Sequence, residues 1–382
     1  MKNNFHFENK NVIILLKSFA LGGAEKQALF LANYLQEKLK CNVFVYSFIK
    51  SENSKLFDNL CDDLKIKSLF IENNPLSASG RFKYLKRRIK IFLFGLKLKK
   101  HHPDIIIPYL NPSSIIASLC YKVAGAKYTF WHHRGPDYFR YDKLEKKAVK
   151  KTPIFIANSK DGEQELMEKF KLTNSHYFLP NFSTVKKVNK NKKLEKLNFI
   201  EDKIVIGMIA HFRIQKLQNV LLRVFNELLK KYSNIHLVFA GNLHDSKDEE
   251  SNFEEVTKFI KQYSLDQKVT IIHNVRAEEV LPYIHIGVLI SLKEGMPNTI
   301  MEYMAYSLPV VATNHEGCIS LLGEKYPYYI NNQDKKDQFD KLKLLIQNEN
   351  ERNFIGEKNK QRLDKYFTIE SYIKQLTATV NQ

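Results

Sequence analysis

Short apolar runs separated by amphipathic stretches recur along this chain and limit its fold more than any other feature. Val12-Ile13-Ile14-Leu15-Leu16, Ile105-Ile106-Ile107, Ile204 to Ile209, Ile235 to Ala240 and Ile286 to Ile290 are too short for buried helices. They also lack polar alternation, so they read as strands covered on both faces, as in parallel sheets. Stretches such as Gln27 to Leu39 carry apolar residues at helical spacing and supply the covering layers. The pattern predicts an α/β fold. At 382 residues the chain exceeds what one core usually holds, which predicts two domains. Lys186 to Lys196 is lysine-rich and weakly patterned, as a linker would be, giving domains 1–185 and 186–365.

Composition narrows the function classes. The formal charge of +19 predicts attraction to nucleic acid, anionic lipid or anionic substrates. No stacking-aromatic or recognition-helix motif accompanies it, which argues against nucleic acid as partner. No run approaches the length needed to span a bilayer, and Met1 to Lys10 lacks a signal-type apolar region. Cys41, Cys61, Cys120 and Cys318 lie far apart without metal-type spacing, as reduced core thiols would. These features give the expectation of a cytoplasmic protein, soluble or peripheral on the inner face of the membrane.

The segment Ser291 to Glu302 holds the strongest chemical signal. A buried strand precedes it and a helix follows, with Pro297 suited to the first helical turn and the helix beginning near Asn298. Amides and dipole at that helix start favour a negative group in front of Asn298 and Thr299. Glu294 stands on the loop before it and Glu302 a turn inside. Carboxylates beside an anion site suit hydroxyls carried by the same ligand, the pattern of a nucleotide sugar.

Glu294 and Glu302 with their intervening Gly295-Met296-Pro297, followed by Leu308-Pro309-Val310-Val311-Ala312-Thr313, resemble the donor-site signature of retaining GT-B glycosyltransferases of family 4, also called group 1. The resemblance implies two Rossmann-like domains facing each other across a cleft, the first completed by a closing helix at about 366–382. It covers nearly the whole chain, densely from Ile204 to Thr313. Departures are Asn314-His315-Glu316-Gly317 in place of Asp-x-Gly-Gly, Ser307 for a habitual glycine, and Ser320 for a common glutamate.

Other residues take their roles from the same resemblance. Gly22-Gly23-Ala24-Glu25, after the first strand, is similar to the family's first glycine-rich loop; a tight strand-to-helix turn is the alternative. Lys127 to Trp131 reads as a strand delivering His132-His133-Arg134, of which His132 matches the family's strand-end histidine and His133 is the alternative. Neighbouring strand residues point oppositely, so one of the two histidines is expected at the site. Arg134 is a candidate for an acceptor phosphate, and Pro180-Asn181 resembles a hinge-side motif. In the second domain Lys216 matches a phosphate-binding lysine, while His211 occupies the usual arginine position and Arg213 lies two residues on. Gly241 and Val275 fall where relatives face the nucleotide. His244 to Glu250 reads as a solvated loop, because its acids lack the spacing of a cation cage.

The activity implied is metal-independent hexosyl transfer from a UDP- or GDP-linked sugar to an acceptor hydroxyl, with no cofactor. The acceptor class is a glycan or lipid-linked glycan of surface polysaccharide, capsule or lipopolysaccharide assembly. A GT-B sugar-nucleotide epimerase is the alternative enzyme. Residues 80–102 carry Phe82, Leu85, Ile89, Phe92, Leu93 and Leu96 at helical spacing, with nine Lys or Arg and no acid. Such a helix either rests on an anionic membrane or packs its apolar stripe on the sheet.

Overall fold

The computed structural model describes residues 5–50, 54–72, 74–134, 142–172, 176–185, 194–241, 247–273 and 275–381. The chain forms two compact units, Met1–Thr184 with Ile369–Gln382 and Val185–Thr368. The expected linker falls mostly outside the described residues.

The first unit begins β1 (Asn11–Ser18), α1 (Gly23–Leu39), β2 (Asn42–Ile49), α2 (Lys55–Leu64), β3 (Ser68–Phe70) and α3 (Lys83–Lys99). It continues through β4 (Ile105–Pro108), α4 (Leu110–Cys120), β5 (Tyr128–Thr129), β6 (Trp131–His133) and α5 (Lys143–Lys151). Then come β7 (Phe155–Ala157), α6 (Lys160–Phe170) and β8 (His176–Phe178). Parallel strands pair in the order β3-β2-β1-β4-β5, and a second small sheet runs β6-β7-β8.

Alternation along β1 explains the layering, since Val12, Ile14 and Leu16 join the core on one face while Ile13 and Leu15 join the other. The first core takes Ala28, Leu31 and Leu35 of α1, and the second takes Ile115 and Ile116 of α4. The expected strand across 127–131 is interrupted. Thr129 pairs with β4, whereas Trp131 pairs with Phe155 of β7, so the two halves belong to different sheets. Both histidines are therefore the last residues inside β6 rather than a turn beyond it.

The second unit runs β9 (Ile204–Ile209), α7 (Gln218–Leu229), β10 (Ile235–Ala240), α8 (Lys247–Gln262), β11 (Val269–Ile272) and α9 (Ala277–Val280). It continues with β12 (Ile286–Leu289), α10 (Asn298–Ala305), β13 (Val310–Thr313), α11 (Glu316–Leu322), β14 (Tyr329–Ile330), α12 (Lys335–Gln347) and α13 (Glu349–Tyr366). Its strand order, β11-β10-β9-β12-β13-β14, is that of a Rossmann sheet. Connections leave β9 and β12 in opposite directions across the sheet, so loops at the carboxyl ends of these neighbours frame a crevice.

The last helix, α14 (Ile369–Asn381), packs Tyr372, Leu376 and Val380 into the first unit's core. Asn381 donates to the Phe5 carbonyl at 2.9 Å and accepts from its amide at 2.6 Å. All four cysteines are free and buried. Among the described residues no helix is long and apolar enough to cross a membrane.

Candidate active site

In the second unit, the loop after β9 and the loop after β12 meet at the crevice. Lys216 ends a short turn at Ile214–Lys216, and its Nζ lies 2.5 Å from Glu294 Oε1. The side chains are 17% and 8% exposed, so the pair is mostly withdrawn from water and holds its geometry more firmly than a surface pair. A backbone bond from Leu292 N–H to the Gln215 carbonyl at 2.9 Å fastens the loops together, one residue before Lys216 and two before Glu294. On the other side, His315 and Asn332 reach the Ser291 carbonyl at 2.9 and 3.2 Å.

Helix α10 starts at Asn298, with Pro297 just before it in extended geometry rather than within the first turn. Thr299 Oγ1 donates to the Ile209 carbonyl at the end of β9, 3.1 Å away, which fixes the helix start against the crevice. One turn on, the buried Tyr303 hydroxyl accepts from Ile209 N–H at 2.8 Å and donates to the Gly207 carbonyl at 3.0 Å. Glu302 is buried beside it.

Close backbone approach explains two glycines. A Cβ on Gly241 would lie 2.0 Å from the Ala210 carbonyl oxygen, so the loops after β9 and β10 touch only without a side chain there. A Cβ on Gly317 would lie 1.3 Å from the Gly295 carbonyl oxygen. Gly317 sits in the segment whose sequence departs from the family pattern, yet it lets the Glu294-Gly295-Met296 loop settle on α11. Sequence reading gave it no role; the signal was a glycine early in a helix, where it weakens the helix unless space demands it.

Arg213 is held elsewhere. Its Nε lies 3.2 Å from Glu249 Oε1 of α8. Glu249 is buried, and residues 247–250 form the first turn of α8, not the expected solvated loop; residues 242–246 fall outside the described residues. His211 contributes its carbonyl, which accepts from Gln218 at 2.8 Å. Val275 is partly buried against the second unit's core, and the His273 ring contacts the Gly241 carbonyl at 2.7 Å. Among the described residues no three His, Cys, Asp or Glu side chains gather into a cation cage.

In the first unit the two histidines point oppositely. His133 Nε2 lies 3.3 Å from Glu165 Oε2 of α6, and the bond from His133, with help from Lys169, pulls that carboxylate down to about 2. His132 is fully buried against Tyr109 and Phe130, and its Nδ1–H donates to the Pro108 carbonyl at 3.2 Å. Burial first, then the Arg134 charge, lowers its pKa well below the usual range, so the ring is neutral. Its Nε2 is left as an acceptor without a partner among the described residues.

Arg134 bonds the Asn181 side chain and lies over the Tyr109 ring at 4.6 Å. Asn181 belongs to the Pro-Asn motif noted in the sequence, and its pairing with Arg134 is visible only in the fold. Ser159 caps α6 by accepting from Gly162 N–H at 3.1 Å. Gly22 precedes α1 and Gly23 opens it. Glu25, in the first turn, is buried, and burial raises its carboxyl to about 7 against bonds from its own and the Gly22 backbone and the charges of Arg134 and Lys17.

Residues 189–362 match the family described as glycosyl transferases group 1. That match spans most of the second unit, which is similar to the group 1 glycosyltransferases. The chain is 26% identical over 337 residues to an uncharacterised glycosyltransferase of Haemophilus influenzae, covering 86% of this chain and 87% of that one. It is also 24% identical over 197 residues to the capsular polysaccharide biosynthesis glycosyltransferase CapM of Staphylococcus aureus, half of each chain. In fold it resembles Anabaena HepE, solved in complex with UDP and glucose, at a TM-score of 0.76 and 16% identity over 98% of this chain and all of that one. Its fold class is that of the GT-B glycosyltransferases, with mixed α/β architecture and parallel sheets. The family match includes Lys216, Glu294, Glu302 and Gly317 and ends before α14.

Proposed function

We propose that this protein moves a hexose from a UDP- or GDP-linked donor to a hydroxyl of a glycan or lipid-linked acceptor, with retention at the anomeric carbon. The Lys216–Glu294 pair beside the start of α10 carries the reading. It sets a cation, a helix start and a carboxylate side by side at the carboxyl ends of β9 and β12.

As the glycosidic bond breaks, negative charge grows on the leaving diphosphate. Lys216 and the amides at Asn298 and Thr299 stabilise that charge from fixed positions. Glu294 orients Lys216 and accepts from donor-sugar hydroxyls, and its charge favours the positive character developing on the ring. Glu302, one turn inside α10, accepts from the ribose. Gly241, Val275, Gly295, Met296 and Pro297 supply backbone and apolar contact along the donor. Arg213 reaches a phosphate only by leaving Glu249. In the first unit, His132 Nε2 accepts from a sugar hydroxyl other than the reacting one, while Arg134 meets acceptor charge. The leaving phosphate receives the hydroxyl proton on the face it departs from, which accounts for retention without a protein nucleophile.

CapM supports a role in polysaccharide assembly, and HepE supports a uridine nucleotide. The test has two stages. A thermal-shift panel of UDP- and GDP-sugars identifies the donor, and proton NMR of the product of transfer to a glycan acceptor reads the anomeric configuration. An α product from an α donor is expected. Inversion, or conversion of the donor without acceptor, contradicts the proposal.

A further inference from the structure

We propose that the outward face of α3 seats the first unit on an anionic lipid bilayer. At 100° per residue, Phe82, Leu85, Ile89, Phe92, Leu93 and Leu96 fall within one arc of about 100°. All six are 44 to 64% exposed. The helix already has a separate buried side, on which Ile91, Phe94 and Leu98 enter the core and Gly95 lies against Cys120 and Val123. The outward arc is therefore a second apolar face, about 21 Å long from Phe82 to Leu96 at 1.5 Å per residue. An apolar face of that extent on a water-facing helix marks an interaction surface.

Charge selects the occupant. Lys83, Lys86, Lys90 and Lys97 border one edge of the arc, and Arg88 and Lys99 border the other, by the same helical geometry. No acid occurs between Gly80 and His102. Arg87 pairs with Asp142 at 3.2 Å and Lys90 bonds the Ser77 carbonyl at 2.9 Å. Among the described residues no carboxylate pairs with Lys86, Arg88, Lys97 or Lys99. An apolar strip between rows of cations fits the boundary between acyl chains and anionic headgroups, where the cations meet phosphates as the apolar residues enter. Two copies joined through this strip would bring the cation rows together, and the overall charge of +19 adds to that repulsion. The inference rests on α3 alone, independent of the transfer reaction.

The test is flotation of the full chain with vesicles of phosphatidylcholine alone and of an equimolar phosphatidylcholine and phosphatidylglycerol mixture. Binding is expected to the mixed vesicles only and to weaken with added salt. Ile89→Ser with Phe92→Ser should weaken it by at least about tenfold, and Lys86→Ala or Lys97→Ala by about fivefold each. These residues are exposed, so the variants should retain the wild-type melting temperature. Equal binding to both vesicles, no binding, or unchanged binding by the serine variant overturns the proposal. So does a solution dimer that dissociates in the serine variant while wild type ignores vesicles.

Discussion

Lys216 Nζ and Glu294 Oε1 lie 2.5 Å apart although 78 positions separate them in the chain, because β9 and β12 are neighbours in the sheet. The pair turns a strand-order reversal into a charged site. Lys216→Met removes the cation and leaves Glu294 buried without its partner. The cost to stability should be about 2 to 4 kcal/mol, and donor affinity should fall by at least about tenfold, since a lost charge-assisted bond is worth about 1.5 to 3 kcal/mol. Urea unfolding and calorimetric titration with the nucleoside diphosphate check the two effects. Unchanged nucleotide affinity in a folded variant would remove Lys216 from the site.

Gly317→Ala should be severe despite its small size. The added methyl would enter the Gly295 carbonyl, forcing the Glu294 loop away from α11. A loss of at least about 3 kcal/mol is expected on the scale of backbone displacement and overpacking, along with weaker nucleotide binding. Wild-type melting and binding would show that the loop and α11 do not press together as described.

Tyr303→Phe isolates one buried hydroxyl. The hydroxyl joins the Ile209 amide to the Gly207 carbonyl beneath the α10 start, and its loss leaves both backbone groups without that partner. Destabilisation of about 1 to 3 kcal/mol should follow. Ring packing is retained, so a decrease in denaturation midpoint without a change in the urea dependence is the expected signature.

Glu25 gives the first unit a pH dependence of definite sign. Its carboxyl is raised from 4.5 to about 7, chiefly by burial, so the folded chain holds the proton more tightly than the unfolded chain does. The associated stability is fully present below pH 4.5 and lost as pH rises through about 7. At about 1.4 kcal/mol per pKa unit the change is of order 3 kcal/mol. Glu25→Gln, which cannot ionise, should gain on wild type by about that amount between about pH 4.5 and about pH 8. Urea melts across the range check it, and a constant difference between the two proteins contradicts it.

The strands were legible because burial on both faces leaves an unbroken apolar run that no exposed segment would carry. The arrangement from Ser291 to Glu302 was legible because it is local, with strand, carboxylate, proline and helix consecutive. Features set by distant partners were not. Phe130 separates β5 from β6 because Thr129 and Trp131 pair with different strands, which an apolar sequence cannot announce. Arg213 and Glu249 meet across α8, and charge alone did not distinguish that pairing from a phosphate contact. In α3 the spacing identified an apolar stripe, but only packing reveals that Ile91, Phe94 and Leu98 already fill the inward side.

The most direct measurement is turnover of the identified nucleotide sugar by Glu294→Gln at saturating donor and acceptor. The account predicts a kcat about 100-fold or more below wild type, the scale of losing a group that stabilises the transition state, with the nucleoside diphosphate still bound. A variant that folds, binds the nucleotide and transfers sugar within a few-fold of wild type contradicts it.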